Sequence, residues 1–103
     1  MSVYGVFEVE LAENPTDIDR RRYDEYRAAV PELIARFGGR YLVRAGTGRA
    51  LEGRSTTGRW HLVEFPDVES AEAFWSSPEY VALVPLRSGA ADVRAVLVES
   101  LTG

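Results

Sequence analysis

The stretch GGRYLVRAG, residues 38–46, marks a change from helix to strand. Its glycine pair supplies the left-handed backbone that commonly ends a helix, and the apolar residues at 41–43 then favour an extended chain. Arg40 and Arg44 are four positions apart, so a regular strand would place them on one face. Two guanidinium groups there have two possible interpretations. Either both arginines are ion-paired at a strand edge or subunit interface, or Arg44 binds an anion in a cleft.

The hydrophobic periodicity on both sides of this stretch predicts further strands and helices. The predicted strands are Val3 to Leu11, Arg40 to Ala45, Trp60 to Phe65 and Val93 to Glu99, with room for a short strand at Arg49 to Glu52. The predicted helices are Asp17 or Asp19 to Phe37, Val68 to Ser76, and a third that Ser77 and Pro78 begin and that runs to about Ser88. Pro31 is expected to kink the first helix or to start a second segment, and Pro85 to disturb the third.

The resulting order β-α-β-β-α-β, with an extra short helix before the last strand, predicts a ferredoxin-like α+β sandwich. Its 103 residues suit a single domain over residues 1–103. Several strands are apolar on both sides, as at Leu42 with Val43, Leu62 with Val63, and 96–98. Helices cover only one face of such a sheet, so we expect a homodimer in which the two sheets lie face to face.

Composition excludes several classes of function. The net charge is −4 and the basic run at 20–22 is flanked by acidic residues, which argues against nucleic-acid binding. No apolar run approaches the roughly 20 residues that span a bilayer, so no membrane association is expected. The N-terminal residues already have the pattern of a strand and lack the basic start of a signal peptide. We therefore expect a cytoplasmic protein.

Missing residue types narrow the chemistry further. The chain has no cysteine and no lysine, so thiolate nucleophiles, disulfides and lysine Schiff bases are not available to it. His61 is the single histidine, which rules out a multi-histidine metal site within one chain. Nucleotide-binding glycine motifs and the nucleophile elbow are absent from the sequence. We expect neither a metal nor a cofactor.

Three segments together resemble a known family: EYRAAVPELIARFGGRYLVRAG at 25–46, LEG at 51–53 and VEFPDVESAEAFWSSPEY at 63–80. They are similar to the domain of unknown function 1330 family, within the dimeric α/β-barrel (ferredoxin-like) superfamily. The resemblance implies the dimeric barrel fold. The wider superfamily includes cofactor-independent monooxygenases, cyclases, lactone isomerases, haem-dependent peroxidases and stress-responsive proteins. The sequence departs from the family pattern in two places. Its first loop is longer, and Trp60 and His61 stand where aliphatic residues are usual.

Two residues are candidates for proton transfer. His61 has an ordinary pKa near neutrality, although a lone histidine in a strand often serves packing or an interface. Glu64 alternates with Trp60 and Leu62 along an apolar strand. A half-buried carboxylate there either pairs with an arginine or, if desolvated, acquires a raised pKa and acts as an acid or base.

Other residues are candidates for substrate binding. Arg44 and Arg87 are suited to a carboxylate or enolate oxygen, and the resemblance extends to Arg87; the alternative for Arg87 is an ion pair with a surface acid. The aromatic residues at helix and strand spacing are expected mostly in the core, with some lining a pocket for a planar substrate. Those taken as candidate binding residues are Trp60, Trp75 and Tyr80.

These residues support two hypotheses about function. The first is a cofactor-independent enzyme acting by proton transfer, cyclisation, isomerisation or oxygenation on a small aromatic or polyketide-like metabolite. His61 or Glu64 would move a proton and Arg44 or Arg87 would stabilise an oxyanion. The second is a non-catalytic protein that binds a small molecule on the same dimer. Haem binding is disfavoured because a single histidine and no cysteine are available as axial ligands.

Overall fold

A computed structural model of the chain describes residues 2–101. In chain order the elements are β1 (Val3–Leu11), α1 (Asp17–Arg36), β2 (Arg40–Thr47), β3 (Arg59–Phe65), α2 (Val68–Ser76), α3 (Pro78–Leu83), a 3₁₀ turn (Val84–Arg87) and β4 (Ala91–Glu99). The four strands form one sheet in the order β2-β3-β1-β4, and all neighbouring strands are antiparallel. The predicted ferredoxin-like α+β fold is confirmed.

Helix α1 is held at both ends by the residues that the sequence singles out. Thr16 and Asp19 form a reciprocal capping box at its start, and Gly38, with φ of +82°, turns the chain after its end. The helix is continuous across Pro31, so the expectation of a second segment there is wrong. The buried residues Leu33 and Ile34 lie in the following turn, and their packing against the sheet offsets the one helical hydrogen bond that proline removes.

The region after α2 departs from the single helix that the sequence predicts to about Ser88. Ser77 caps α3 by accepting the amide of Tyr80, and Pro78 occupies its first position. The α-helix ends at Leu83 and a 3₁₀ turn containing Pro85 follows, because proline cannot donate the next helical hydrogen bond. Residues 48–58 form an irregular loop, so the short strand allowed at 49–52 is not formed.

The sheet has two faces of different character. The face under the helices, here called the covered face, carries Val3, Val63 and Phe65, which pack against Leu33 and Phe74 in the core. The other side, here called the open face, has no layer over it within residues 2–101. Strand register places these apolar side chains along it: Tyr4, Val6, Val43, Leu62, Val96 and Val98. Of these, Val43, Val96 and Val98 are 41–46% exposed.

No helix within the described residues is long and apolar enough to cross a membrane.

Candidate functional site

A cavity of about 680 Å³ lies between α1 and the covered face of the sheet. Tyr23 and Tyr26 of α1 line one wall, and Phe7, Tyr41 and His61 of the sheet line the other. The volume is that of a pocket for a small organic molecule, and the aromatic rings on both walls suit a planar ligand. The helix stripe that the sequence predicts as core therefore serves at this end as the wall of a cavity.

Two irregularities in β2 decide which arginine reaches this cavity. Tyr41 pairs with Val63 and Val43 pairs with Leu62, so β2 advances two residues where β3 advances one, and the register shifts again before Gly46. An extra residue in a strand turns the following side chains to the other face. Arg44 consequently lines the cavity, with its guanidinium carbon 5.3 Å from the centre of the Tyr41 ring.

Arg40 lies on the open face, where its Nε donates to Glu64 at 2.9 Å. The expectation that Arg40 and Arg44 share one strand face is therefore wrong. It assumed a regular strand, whereas the β-bulges of β2 separate the pair. Arg40 is ion-paired, as the first alternative states, and Arg44 points into the cleft. The binding of an anion by Arg44 stays a prediction.

His61 is held in one orientation beside Arg44. Its Nδ1 accepts the backbone N–H of Ala45 at 3.2 Å, and its ring meets Tyr41 edge to face at 6.0 Å. Burial, and secondarily the positive charge of Arg44, lowers the pKa of His61 below its ordinary value. The imidazole is therefore neutral near pH 7 with its proton on Nε2. In this state it offers a hydrogen-bond donor rather than a base.

The charge of the cavity is opposite in sign to that of the chain. Its charged lining residues are Asp24, Arg27, Arg44 and Arg59, and only Asp24 and Arg27 pair with one another, at 2.6 Å. Among residues 2–101, Arg44 and Arg59 form no ion pair. An acidic protein thus presents a cationic, aromatic cavity, which favours an anionic ligand.

Arg87 reaches the same region from the 3₁₀ turn. Its Nη1 donates to the hydroxyl oxygen of Tyr26 at 3.1 Å and to that of Tyr80 at 2.9 Å. The two hydroxyls are themselves hydrogen-bonded at 2.7 Å. In the part of the chain that the structure describes, no carboxylate pairs with Arg87, so the alternative of a surface ion pair does not hold for these residues.

All of the predicted site residues except Trp75 fall into two groups. His61, Arg44 and Tyr80 line the cavity, and Arg87 binds two of the lining tyrosines. Glu64 and Trp60 project from the open face, because they alternate with His61 along β3. The two candidates for proton transfer, His61 and Glu64, therefore lie on opposite faces of the sheet.

Trp75 on α2 stacks on Phe7 and meets Tyr80 in a tilted contact. It is 41% exposed and is not part of the cavity lining. Sequence reasoning assigned no ligand-binding role to Tyr41 and Arg59, which do line the cavity. Tyr41 has the pattern of a core strand residue, and nothing local in the sequence distinguishes Arg59 from a surface arginine.

Comparisons with known proteins agree with the fold. The family model described as Domain of unknown function (DUF1330) matches residues 8–101. A protein of unknown function from Rhodopseudomonas palustris is similar in structure, with a TM-score of 0.76 and 18% identity over 99% of this chain and 84% of that chain. No curated protein matches the chain.

Two further solved structures are similar at lower identity. One is a dimeric ferredoxin-like protein of unknown function from Bacteroides fragilis, with a TM-score of 0.61 and 17% identity over 96% of both chains. The other is SnoaB, a cofactor-independent oxygenase from Streptomyces nogalater, with a TM-score of 0.62 and 12% identity over 99% of this chain and 95% of that one. At these identities the likeness shows the fold alone.

Proposed function

The chain belongs to the DUF1330 family, and from that premise we propose that it is a cofactor-independent enzyme acting on a small aromatic metabolite. The substrate binds in the cavity between α1 and the sheet as an enolate or phenolate. The observation that carries the proposal is the placing of Arg44, which has no ion-pair partner within residues 2–101, beside a neutral, oriented His61.

The chemistry follows from what these two side chains can donate. Arg44 supplies charged N–H donors, and His61 supplies a neutral Nε2–H, to an oxygen that gains negative charge. A site that stabilises such an oxygen lowers the pKa of a bound phenol or of a C–H next to a carbonyl. The proton passes to solvent, and the anion that remains can be reprotonated at another carbon, cyclise, or react with an electrophile such as dioxygen.

In this assignment His61 donates a hydrogen bond to the oxyanion. The sequence suggests instead that it acts as a base. Its Nδ1 is occupied by the Ala45 amide, and a second proton on the ring would break that hydrogen bond. Glu64 has no part in the cavity of its own chain and serves instead in the ion pair with Arg40. SnoaB, which shares the fold and is a cofactor-independent oxygenase, supports chemistry of this class without a cofactor.

The protein is also proposed to be a homodimer formed through the open face. That face carries the apolar residues Val43, Val96 and Val98, each more than 40% exposed in one chain. Similar structures from Bacteroides fragilis and a Jannaschia species are described as dimeric. Pairing the two open faces would remove this apolar surface from water and leave the two cavities on the outer sides of the sheets.

Non-catalytic binding of the same class of ligand is the second candidate function, since the cationic cavity serves both. The two are separated by hydrogen–deuterium exchange at the enolisable carbons of 2-tetralone in D₂O, followed by proton NMR. The enzyme proposal expects catalytic amounts of protein to accelerate exchange above the buffer rate, and expects Arg44→Leu to abolish the acceleration. Arg49→Leu, which removes the same charge from the irregular loop outside this cavity, is the matched control.

If 2-tetralone binds and its exchange is not accelerated, the non-catalytic function is favoured. If the acceleration is equal in wild type and Arg44→Leu, the proposed role of the cavity is contradicted.

A further inference from the structure

The hydroxyls of Tyr26 and Tyr80 and the guanidinium of Arg87 form a closed hydrogen-bond triangle next to the cavity. Nη1 of Arg87 donates to both hydroxyl oxygens, and the two oxygens lie 2.7 Å apart. Each phenol carries one proton, and the contact between the oxygens uses one of the two. One hydroxyl proton is therefore left without an acceptor inside the triangle.

The burial of the two tyrosines decides which of them keeps that proton. Tyr80 is 2% exposed and packs against Phe74 and Trp75, with ring centres 4.7 and 5.0 Å away. Both rings line the cavity, but Tyr26 is only half-buried and is therefore the more accessible of the two. A buried hydroxyl proton without an acceptor costs free energy, so the favoured arrangement has Tyr80 donating to Tyr26. The free O–H of Tyr26 is then available to the cavity.

Arg87 strengthens this donor. Its charge is not balanced by any carboxylate within residues 2–101, and its guanidinium carbon lies 5.6 Å from the centre of the Tyr26 ring. A hydroxyl oxygen that accepts from a cation becomes a better donor through its own proton, because hydrogen bonds in a chain polarise one another. Burial also raises the pKa of Tyr80, so its hydroxyl stays protonated over the whole physiological range.

We infer that Tyr26 is a further ligand-contacting donor of the cavity, beside Arg44 and His61, with Arg87 as its positioning residue. Together with Arg44 and His61 it selects aromatic ligands that carry a carbonyl or carboxylate oxygen in addition to the ionised one. The inference rests on the proposed function, since it assumes that the cavity binds an aromatic oxyanion. Beyond that function, the inference requires a second oxygen on the ligand and names Tyr26, positioned by Arg87, as the residue that binds it.

The test compares two probes by isothermal titration calorimetry: 2-naphthol, with one oxygen function, and 3-hydroxy-2-naphthoate, with an added carboxylate. Tyr26→Phe removes the hydroxyl and keeps the ring. We expect it to weaken binding of 3-hydroxy-2-naphthoate about tenfold, the size expected for losing a hydrogen bond to a charged group, and to leave 2-naphthol within about twofold. Tyr4→Phe is the matched control, because it makes the same change on the open face, outside the lining of this cavity.

Arg87 is tested by the ratio of the two affinities, which a purely structural defect would not change. Arg87→Leu is expected to lose most of the preference for 3-hydroxy-2-naphthoate, and Arg87→Lys to restore part of it by keeping the charge without the forked donors. Thermal unfolding by circular dichroism checks that each variant folds.

If Tyr26→Phe and Arg87→Leu keep the wild-type ratio while Arg44→Leu weakens both probes, this inference is overturned and the proposed function stands. If wild type binds neither probe, the proposed function is contradicted and this inference with it.

Discussion

The imidazole Nδ1 of His61 accepts the backbone N–H of Ala45 at 3.2 Å. This contact joins two features of the cavity that are far apart in sequence. Ala45 lies in the irregular part of β2, directly after Arg44, and its φ is +55°. This left-handed backbone therefore adjoins the residue whose side chain points into the cavity. The same hydrogen bond fixes the neutral tautomer of His61. A single contact therefore links the backbone next to Arg44 to the tautomer of its neighbour His61.

The backbone at Ala45 gives a direct prediction. Ala45→Gly relieves a left-handed conformation that costs an L-residue about 1–2 kcal/mol, and the greater freedom of glycine in the unfolded chain offsets most of that gain. We expect its stability to lie within about 1 kcal/mol of wild type. Ala45→Val places a β-branched residue at positive φ and should lower the free energy of unfolding by about 1–2 kcal/mol or more. Urea denaturation measures both.

The two substitutions also test the link from backbone to site. Ala45→Gly should bind 2-naphthol like wild type, and Ala45→Val should bind it more weakly because Arg44 no longer points inward. Equal binding by the two variants would show that the bulge does not position Arg44.

The lowered pKa of His61 predicts a pH dependence of stability. Between its folded pKa and the ordinary value of 6.5, the unfolded chain binds a proton that the folded chain does not. The stabilisation is therefore complete above about pH 6.5 and is lost as the pH falls through the folded pKa. His61→Asn keeps an acceptor for the Ala45 amide without a titrating group, so its midpoint temperature should fall less between pH 7 and pH 5. Parallel pH profiles for the two proteins would disprove the account of His61.

Glu64 and His61 are close in sequence and lie on opposite faces, so their substitutions should have separate effects. Glu64→Gln breaks an ion pair whose arginine side chain is 74% exposed, and exposed pairs contribute about 0–1 kcal/mol. We expect a change in stability of that size and unchanged affinity for 2-naphthol. Calorimetry that finds a large loss of affinity in Glu64→Gln would place this carboxylate in the ligand site after all.

The proposed dimer is tested by a charge on the open face. Val96→Asp puts a carboxylate among apolar side chains that the dimer would bury, and we expect the protein to become monomeric in size-exclusion chromatography with light scattering. Val81→Asp is the control, because Val81 is 56% exposed on α3, away from that face. A Val96→Asp protein that keeps the wild-type mass would contradict face-to-face pairing of the sheets.

The fold was predictable from the sequence because its signals are local. Alternating apolar residues, the glycine pair after α1 and the serine–proline start of α3 each act through their own backbone. The bounds of α2, Val68–Ser76, agree with the prediction for the same reason. For the third helix the sequence predicts only that Pro85 disturbs it, because the lack of a proline N–H does not specify which backbone form follows, here a 3₁₀ turn.

The site was predictable only in part, because its geometry depends on register. His61 and Arg44 were identified by residue type, as the single histidine and an arginine in a strand. That Arg44 and Arg40 lie on opposite faces depends on β-bulges in the pairing of β2 with β3, whereas the prediction assumed a regular alternation of side chains. The role of Tyr26 depends on residues 54 and 61 positions away, so no local pattern could have shown it.

The central claim is that Arg44 and His61 make the cavity a site for an aromatic oxyanion. The most direct measurement is a spectrophotometric pH titration of 4-nitrophenol, whose phenolate is yellow and whose phenol is colourless, with and without excess protein. The account predicts that wild type lowers the apparent pKa of the bound phenol and that Arg44→Leu abolishes the shift, with Arg49→Leu like wild type. An unchanged pKa in the presence of saturating wild-type protein, or a shift that persists in Arg44→Leu, would contradict it.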